Sequence, residues 1–308
     1  MSGGEPPFLA LVGPTACGKT EAGIAIAEAL GCEIVSVDSM LVYRGMDVGT
    51  AKPTPEQRAR VPHHLIDVVE PSEPFAVARY RSLAVGVVQR LRARARRPLL
   101  VGGSGLYFRA VVDDLEFPAT DPSTRAEIEA LATVLGPERL HARLAELDPV
   151  AASRIEPENV RRTVRALEVA AVTGRRFSSF AEGWKRFDPG RVRAAGVDVP
   201  REVLGERIRE RVDRMLERGF LQEVEVLVER GFGGWLTSTQ AIGYAELARH
   251  LAGEIGLEEA VAGTVRRTKE LARRQMVWFR RDPRIRWFRA GADGAGGIVD
   301  ELVGYLRG

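Results

Sequence analysis

The chain has 308 residues, 45% hydrophobic and 28% charged, which fits a globular protein long enough for one large domain plus an insertion. No apolar run approaches the roughly 20 residues that cross a bilayer, so no membrane association is expected. The start MSGGEPP lacks the basic-then-apolar pattern of a secretion signal, and with only Cys17 and Cys32 it argues for a reducing cytoplasm. Two cysteines and four histidines offer no zinc-finger spacing, so no structural zinc is expected. The net charge of +3 is unevenly spread, with arginines crowding residues 90–97, 161–165 and 266–289. That pattern suits a polyanionic partner, although residues 90–97 also read as a solvated basic helix face.

In chain order, residues 8–12 predict a first strand, followed by the loop GPTACGKT and a helix over 21–30 stopped by Gly31. Residues 33–37 predict a second strand that delivers Asp38 to the same sheet edge as the loop. A polar helical excursion is expected over 54–61, then a long amphipathic helix over 75–97 ended by Pro98. A third strand over 98–101 leads into a second Gly-rich turn, GGSGLY at 102–107. From 113 to 192 the pattern changes to short Glu/Arg-rich helical segments jointed by prolines, with no strand-like run, which predicts an inserted helical domain. A strand over 194–199, a long helix over 201–230, a helix over 257–281, an edge strand over 285–288, a flexible turn over 291–297 and a last helix complete the chain. The expected fold is α/β: a P-loop NTPase-like core with a parallel sheet flanked by helices (1–112 and 193–308), plus an inserted all-helical domain (113–192).

The loop carries the first chemistry. Gly13, Pro14, Thr15, Ala16, Cys17, Gly18, Lys19 and Thr20 match GxxxxGK[ST] between a strand and a helix. Its glycines let backbone N–H groups point into one concavity, the helix N-terminus adds partial positive charge, Lys19 reaches an outer phosphate and Thr20 is suited to Mg²⁺. Lysine is scarce, with four among 45 basic residues, so Lys19 stands out as a compact ammonium. The loop does not say which phosphate ester it holds. Asp38 reads either as a carboxylate holding a metal through water or as a turn cap. The long polar loop behind it resembles a substrate surface. Cys17 reads either as a thiol activated by the helix N-terminus or as a small buried filler.

The segments GPTACGKT, DSMLVYRGMDVGTAKP (38–53), HHLIDVV (63–69), GGSGLYFRAVVDDL (102–115), RRTVRALEV (161–169), TQAIGY (239–244) and TKELARRQMVWFR (268–280) together resemble the bacterial tRNA dimethylallyltransferase family. They occur in that family's order over nearly the whole chain. The resemblance implies transfer of a dimethylallyl group from dimethylallyl diphosphate to N6 of adenine 37 in tRNAs reading codons that begin with U. It implies Mg²⁺ as cofactor, the anticodon stem-loop as partner, and a monomer as the default state. Residues 13–20 would hold diphosphate, with Thr20 on the metal. Asp38 and Ser104 would be catalytic, Asp38 accepting the N6 proton.

The resemblance assigns tRNA contact to Asp38, Ser39, Met40, Leu41, Ser104 and Arg125, and to Arg161, Arg162, Thr163, Val164 and Arg165. It extends to Gln240, Ala241, Ile242, Gly243, Tyr244 and Ala245, and to Arg273, Arg274, Gln275, Met276, Val277, Trp278, Phe279 and Arg280. Ser104 stands where relatives usually carry Thr, Val277 where Thr is common, and Leu41 where Gln or Ile is frequent. On the residues alone, Arg165 and Glu168 have the spacing of an intrahelical ion pair. Trp278 and Phe279 also read as core residues rather than stacking surfaces. A phosphate-loop kinase would leave the basic segments unexplained, and an isopentenyltransferase acting on free nucleotides would not need the helical insertion.

Overall fold

The strand Phe8–Val12 (β1) is FLALV and is buried along its whole length, as a strand covered by helices on both faces must be. It sits inside a six-stranded, all-parallel sheet. This computed structural model describes residues 7–113 and 115–308, so the reading of the N-terminal MSGGEP and of Asp114 falls outside the described residues. After β1 come a helix Lys19–Leu30 (α1), a strand Cys32–Ser36 (β2), a short helix Pro55–Arg60 (α2) and a two-residue strand His63–His64 (β3). Then follow a helix Val77–Ala93 (α3), a strand Arg97–Gly102 (β4) and a helix Gly105–Val112 (α4).

The chain divides into two compact units, Asp113–Phe187 and the remainder. In the smaller unit, helices Pro122–Leu147 (α5), Pro149–Ala152 (α6) and Val160–Thr173 (α7) close over Leu140, Leu144, Ile155, Val164 and Leu167. Asp121 caps α5 by accepting the Thr124 N–H at 2.8 Å, and hydrogen bonds from Ser123 and Thr124 push its carboxyl down to about 2. The larger unit resumes with a strand Val192–Asp198 (β5) and helices Arg201–Glu217 (α8), Phe220–Glu229 (α9), Tyr244–Leu251 (α10) and Leu257–Phe279 (α11). It ends with a strand Ile285–Arg289 (β6) and a helix Val299–Arg307 (α12). The sheet order is β3-β2-β4-β1-β5-β6, so the loops after β1, β2 and β4 open at one carboxyl edge near the centre.

Several boundaries differ from the sequence expectation for local reasons. Residues 188–192, read as insertion, cluster with the larger unit, because Val192 already pairs with Phe8 in the sheet. The helix expected over 75–97 stops at Ala93, where Ala95 turns left-handed at φ 54° and releases Arg97 to pair with Cys32. The single helix expected over 201–230 is two helices broken at Gly219, whose φ of 92° a side chain would resist. His63 and His64, unassigned from sequence, add an edge strand against Ile34 and Val35. The turn expected over 291–297 contains a 3₁₀ segment, Gly294–Ile298, that packs against α1.

The polar loop after β2 is ordered by buried charge. Lys52, its side chain 2% exposed, donates to the Tyr43 carbonyl and, at 2.6 Å each, to Asp47 and Asp67. Arg58 adds a second cation on Asp67 at 2.8 Å. Burial pushes the Asp67 carboxyl up, but the hydrogen bonds from Lys52 and Arg58 outweigh it and the net shift is downward. A carboxyl depressed in the folded state stabilises fully above its unfolded pKa, near 3.8, and this stabilisation is lost as pH falls through the lower folded value. Asp67→Asn is therefore expected to cost about 1–3 kcal/mol at neutral pH. In urea unfolding followed by circular dichroism, the gap from wild type should close below about pH 4. A gap that persists unchanged into strong acid would contradict this account.

Candidate active site

The loop of residues 13–18 leaves β1 with three of its carbonyls engaged. Lys19 Nζ donates to the Pro14 carbonyl at 2.6 Å, Arg207 Nε to Ala16 at 2.9 Å, and the Ala295 N–H to Cys17 at 2.8 Å. Ala16 sits in the left-handed region at φ 64°, a strained backbone that the Arg207 contact holds in place. The N–H groups of Ala16, Cys17, Gly18, Lys19 and Thr20 have no acceptor among the described residues. Such unpaired amides at a helix N-terminus form an anion-binding concavity.

Beside the loop lies a cavity of about 550 Å³ lined by Thr15, Lys19, Thr20, Ser36, Asp38, Ser104, Arg211 and Gln275. Asp38 stands just past β2, where its Oδ1 accepts the Met40 N–H at 2.8 Å and fixes the carboxylate at the head of the loop. The Ser104 N–H donates to the Val37 carbonyl at 3.0 Å, so the turn after β4 is pinned to the residue preceding Asp38. The Tyr107 N–H donates to Ser104 Oγ at 3.4 Å, leaving the hydroxyl hydrogen available to a ligand. His63 also lines the cavity; burial lowers its pKa, and its Nδ1 lies 2.7 Å from the Val61 carbonyl, so Nδ1 carries the hydrogen.

Among the described residues no group of three or more His, Cys, Asp or Glu side chains is placed to hold a metal. The donor set instead fits a hard cation completed by substrate phosphates. Thr20, Asp38 and Ser36 bring hydroxyl and carboxylate oxygens to one cavity, and Ser36 Oγ is buried without any partner.

Arg211 of α8 is a cavity residue that sequence reasoning missed. Burial disfavours its charge, opposed by the Asp38 carboxylate, and it makes no ion pair among the described residues. The available signal was its place on the buried stripe of Ile208, Val212 and Met215, where an arginine needs a reason.

The residues read as tRNA contacts fall into distinct environments. Gln240, Arg273, Arg274, Val277 and Arg280 are exposed, and Ser39, Met40, Leu41, Ile242, Ala245, Met276 and Trp278 are half-buried. Ala241, Gly243, Tyr244 and Phe279 are buried. The Tyr244 hydroxyl donates to Glu223 Oε1 at 2.6 Å. The same Glu223 carboxylate accepts the N–H groups of Asp47, Val48 and Gly49 at 2.7, 2.7 and 3.1 Å, so Tyr244 braces the loop after β2 from beneath. Phe279 packs edge-on against Phe108 as core, and Trp278 is half-buried over Gly105. The Gln275 side chain accepts the Thr15 N–H at 2.8 Å.

In the helical unit Arg161 and Arg162 are exposed, while Thr163 and Val164 are buried. Arg165 pairs with the fully buried Glu168 at 2.8 Å and also donates to the Pro118 and Ala119 carbonyls. Arg125 reaches the same carboxylate at 3.4 Å. Both arginines therefore hold the unit together, and Arg161 and Arg162 of α7 have no ion-pair partner among the described residues.

Fold and cavity define a phosphate-loop enzyme of the parallel α/β class. The model of the family described as IPP transferase matches residues 41–282, and this chain belongs to that family. The tRNA dimethylallyltransferase of Streptomyces coelicolor is 51% identical over 96% of this chain and 92% of its own. That of Thermobifida fusca is 50% identical over 91% and 88%. The crystal structure of the full-length tRNA isopentenylpyrophosphate transferase from Bacillus halodurans superposes with a TM-score of 0.69 at 39% identity, covering 98% of this chain and 97% of that one. A eukaryotic dimethylallyltransferase caught acting on tRNA shares the fold, with a TM-score of 0.78 at 24% identity over 94% of this chain and 74% of that one.

Cys17 is fully buried in the core behind the loop, its Sγ 3.7 Å from Lys19 Nζ. Of the two readings of this thiol, the buried filler matches its place. Maleimide is expected to modify Cys17 in the native protein only as fast as the loop opens, and fully in urea. Labelling mapped by peptide mass spectrometry checks this, and native labelling as fast as in urea would contradict it.

Proposed function

We propose that this protein transfers the dimethylallyl group of dimethylallyl diphosphate to N6 of adenine 37, just 3′ of the anticodon. The acceptors are tRNAs reading codons that begin with U, and the products are N6-(dimethylallyl)adenosine and diphosphate. The observation that carries this reading is one cavity joining unpaired loop amides, Lys19, Thr20 and Arg211 on one side to Asp38 and Ser104 on the other, in a chain of the IPP transferase family. A loop of amides recognises phosphate oxygens whatever they esterify, so a diphosphate ester suits it as well as a nucleotide.

The bond between C1 and the diphosphate oxygen breaks as the bond from C1 to N6 forms, and the electron pair leaves with diphosphate. The amides of residues 16–20, Lys19 and Arg211 stabilise that growing negative charge. Mg²⁺, held by Thr20 with Asp38 and Ser36 nearby, would neutralise the leaving group further. Adenine N6 is a weak nucleophile that turns acidic as the new bond forms, and Asp38, oriented by the Met40 N–H, accepts that proton. Ser104, with its hydroxyl hydrogen uncommitted, orients the amine.

The target base must leave the stack to reach this cavity, a cost that phosphate contacts offset. Arg161 and Arg162 in the helical unit, and Arg273, Arg274 and Arg280 in the larger one, are exposed cations suited to those contacts. No described helix is long and apolar enough to cross a membrane, and both cysteines are unpaired. A cytoplasmic monomer completes the proposal.

The test is incubation with Mg²⁺, labelled dimethylallyl diphosphate and an unmodified anticodon stem-loop carrying A36-A37-A38, with AMP as a competing acceptor. Label is expected in the stem-loop and lost when A37 becomes G. Label in AMP alone, or turnover of ATP with no label transferred, would replace this reading. Asp38→Ala is expected to lower transfer by about 10²–10⁴-fold while stem-loop binding stays within a few-fold. Turnover within tenfold of wild type would remove Asp38 from the proton-transfer role.

A further inference from the structure

The side chain of Gln275 does something that a tRNA contact on α11 does not explain. Its Oε1 accepts the backbone N–H of Thr15 at 2.8 Å across 260 positions of sequence. A backbone N–H can only donate, so this bond decides which end of the amide is oxygen, and Nε2 must point away from Thr15. Nε2 rests against the second glycine turn, where a Cβ built on Gly103 would lie 2.3 Å from it. One turn of helix later, the Trp278 ring occupies the space where a Cβ on Gly105 would lie 2.0 Å away. Helix α11 is thus keyed into the turn after β4 at two points while gripping the loop after β1 at a third.

Gln275 lines the same cavity as Lys19, Asp38, Ser104 and Arg211, and its NH₂ group has no acceptor among the described residues. The acceptor half of the amide is consumed and the donor half is idle at the junction of the two glycine turns. Glutamine suits this double task better than a cation: lysine or arginine would supply the donor but could not accept the Thr15 N–H. A glutamate would keep the Thr15 bond yet set a negative charge beside any anion in the loop.

We propose that Gln275 is a diphosphate-binding residue: Oε1 fixes the first turn of the phosphate loop through Thr15, and Nε2 donates to a diphosphate oxygen. This rests on the reading above that diphosphate is the loop's ligand.

The experiment compares Gln275→Leu and the nearly isosteric Gln275→Glu with wild type. Inorganic pyrophosphate with Mg²⁺ and the anticodon stem-loop are titrated separately by calorimetry, and thermal melts check folding. Pyrophosphate is expected to bind about tenfold more weakly to Gln275→Leu, and more weakly still to Gln275→Glu, although only the latter keeps an acceptor for Thr15. Stem-loop affinity should stay within about twofold, and in turnover KM for dimethylallyl diphosphate should rise by more than kcat falls. Unchanged pyrophosphate binding in both variants, or a loss confined to the stem-loop, would overturn the assignment. A wild-type protein that bound no pyrophosphate would instead remove the functional reading itself, a result distinguishable because it needs no variant.

Discussion

The site depends on the anchoring of the phosphate loop's carbonyls. A loop whose amides all face one way has to turn its carbonyls the other way, and buried carbonyls without partners are costly. Here Pro14, Ala16 and Cys17 are each engaged, by Lys19, Arg207 and Ala295 respectively, while the amides of residues 16–20 have no acceptor among the described residues. Binding capacity therefore arises from how the loop's carbonyls are engaged. Arg207 is particularly economical, since it donates to Ala16 through Nε and to Ala292 through Nη1, joining the loop to the turn before α12 with one side chain.

The opposite wall of the cavity is ordered by a complementary device. The loop after β2 turns three consecutive amides toward Glu223, a protein carboxylate held where a free anion would otherwise sit. Lys52 satisfies the other face of that loop through Asp47, Asp67 and the Tyr43 carbonyl. With both faces fixed, Asp38 at the loop's start has little freedom beyond that left by its bond to Met40. The cavity thus brings the loop amides, Lys19 and Arg211 together with the oriented Asp38 carboxylate, the polarity that an anionic leaving group and an acidic amine require together.

Much of this was legible in the sequence because the signals are local. The strand, glycine loop, lysine-threonine pair and helix of residues 8–30 occupy one continuous segment, and the short step from Ile34 to Asp38 places a carboxylate by strand direction alone. The ion pair of Arg165 with Glu168 is likewise a matter of one helical turn. What sequence spacing could not supply was which face of α8, α10 and α11 points inward, because that depends on docking against segments far away in the chain. The resemblance assigns Tyr244, in TQAIGY, and Gln275, beside Arg273 and Arg274, to tRNA contact, while spacing alone leaves Tyr244 open between surface and core. Packing turns one onto Glu223 and the other onto Thr15. Arg211 was hidden for the opposite reason, as one arginine in a helix full of them. The break at Gly219 was missed because the apolar stripes of α8 and α9 run almost in phase across it.

The long-range anchors of the cavity, Arg207, Glu223, Tyr244, Gln275 and Ala295, lie after the helical unit, whereas the phosphate loop, Asp38 and Ser104 precede it. A ribosome that has completed residue 187 has delivered the phosphate loop, Asp38 and Ser104 with their local contacts, but not Arg211, Gln275 or the distant anchors. Its central strand, β1, also still lacks β5, its neighbour on one side. The nascent chain therefore displays the Thr15 amide and the Asp47–Gly49 amides without their partners, and the pocket is completed only when α9, α11 and the turn before α12 close on it. A chain truncated after the insertion would carry the phosphate loop, Asp38 and Ser104 but lack Arg211, Gln275 and the distant contacts that complete the pocket.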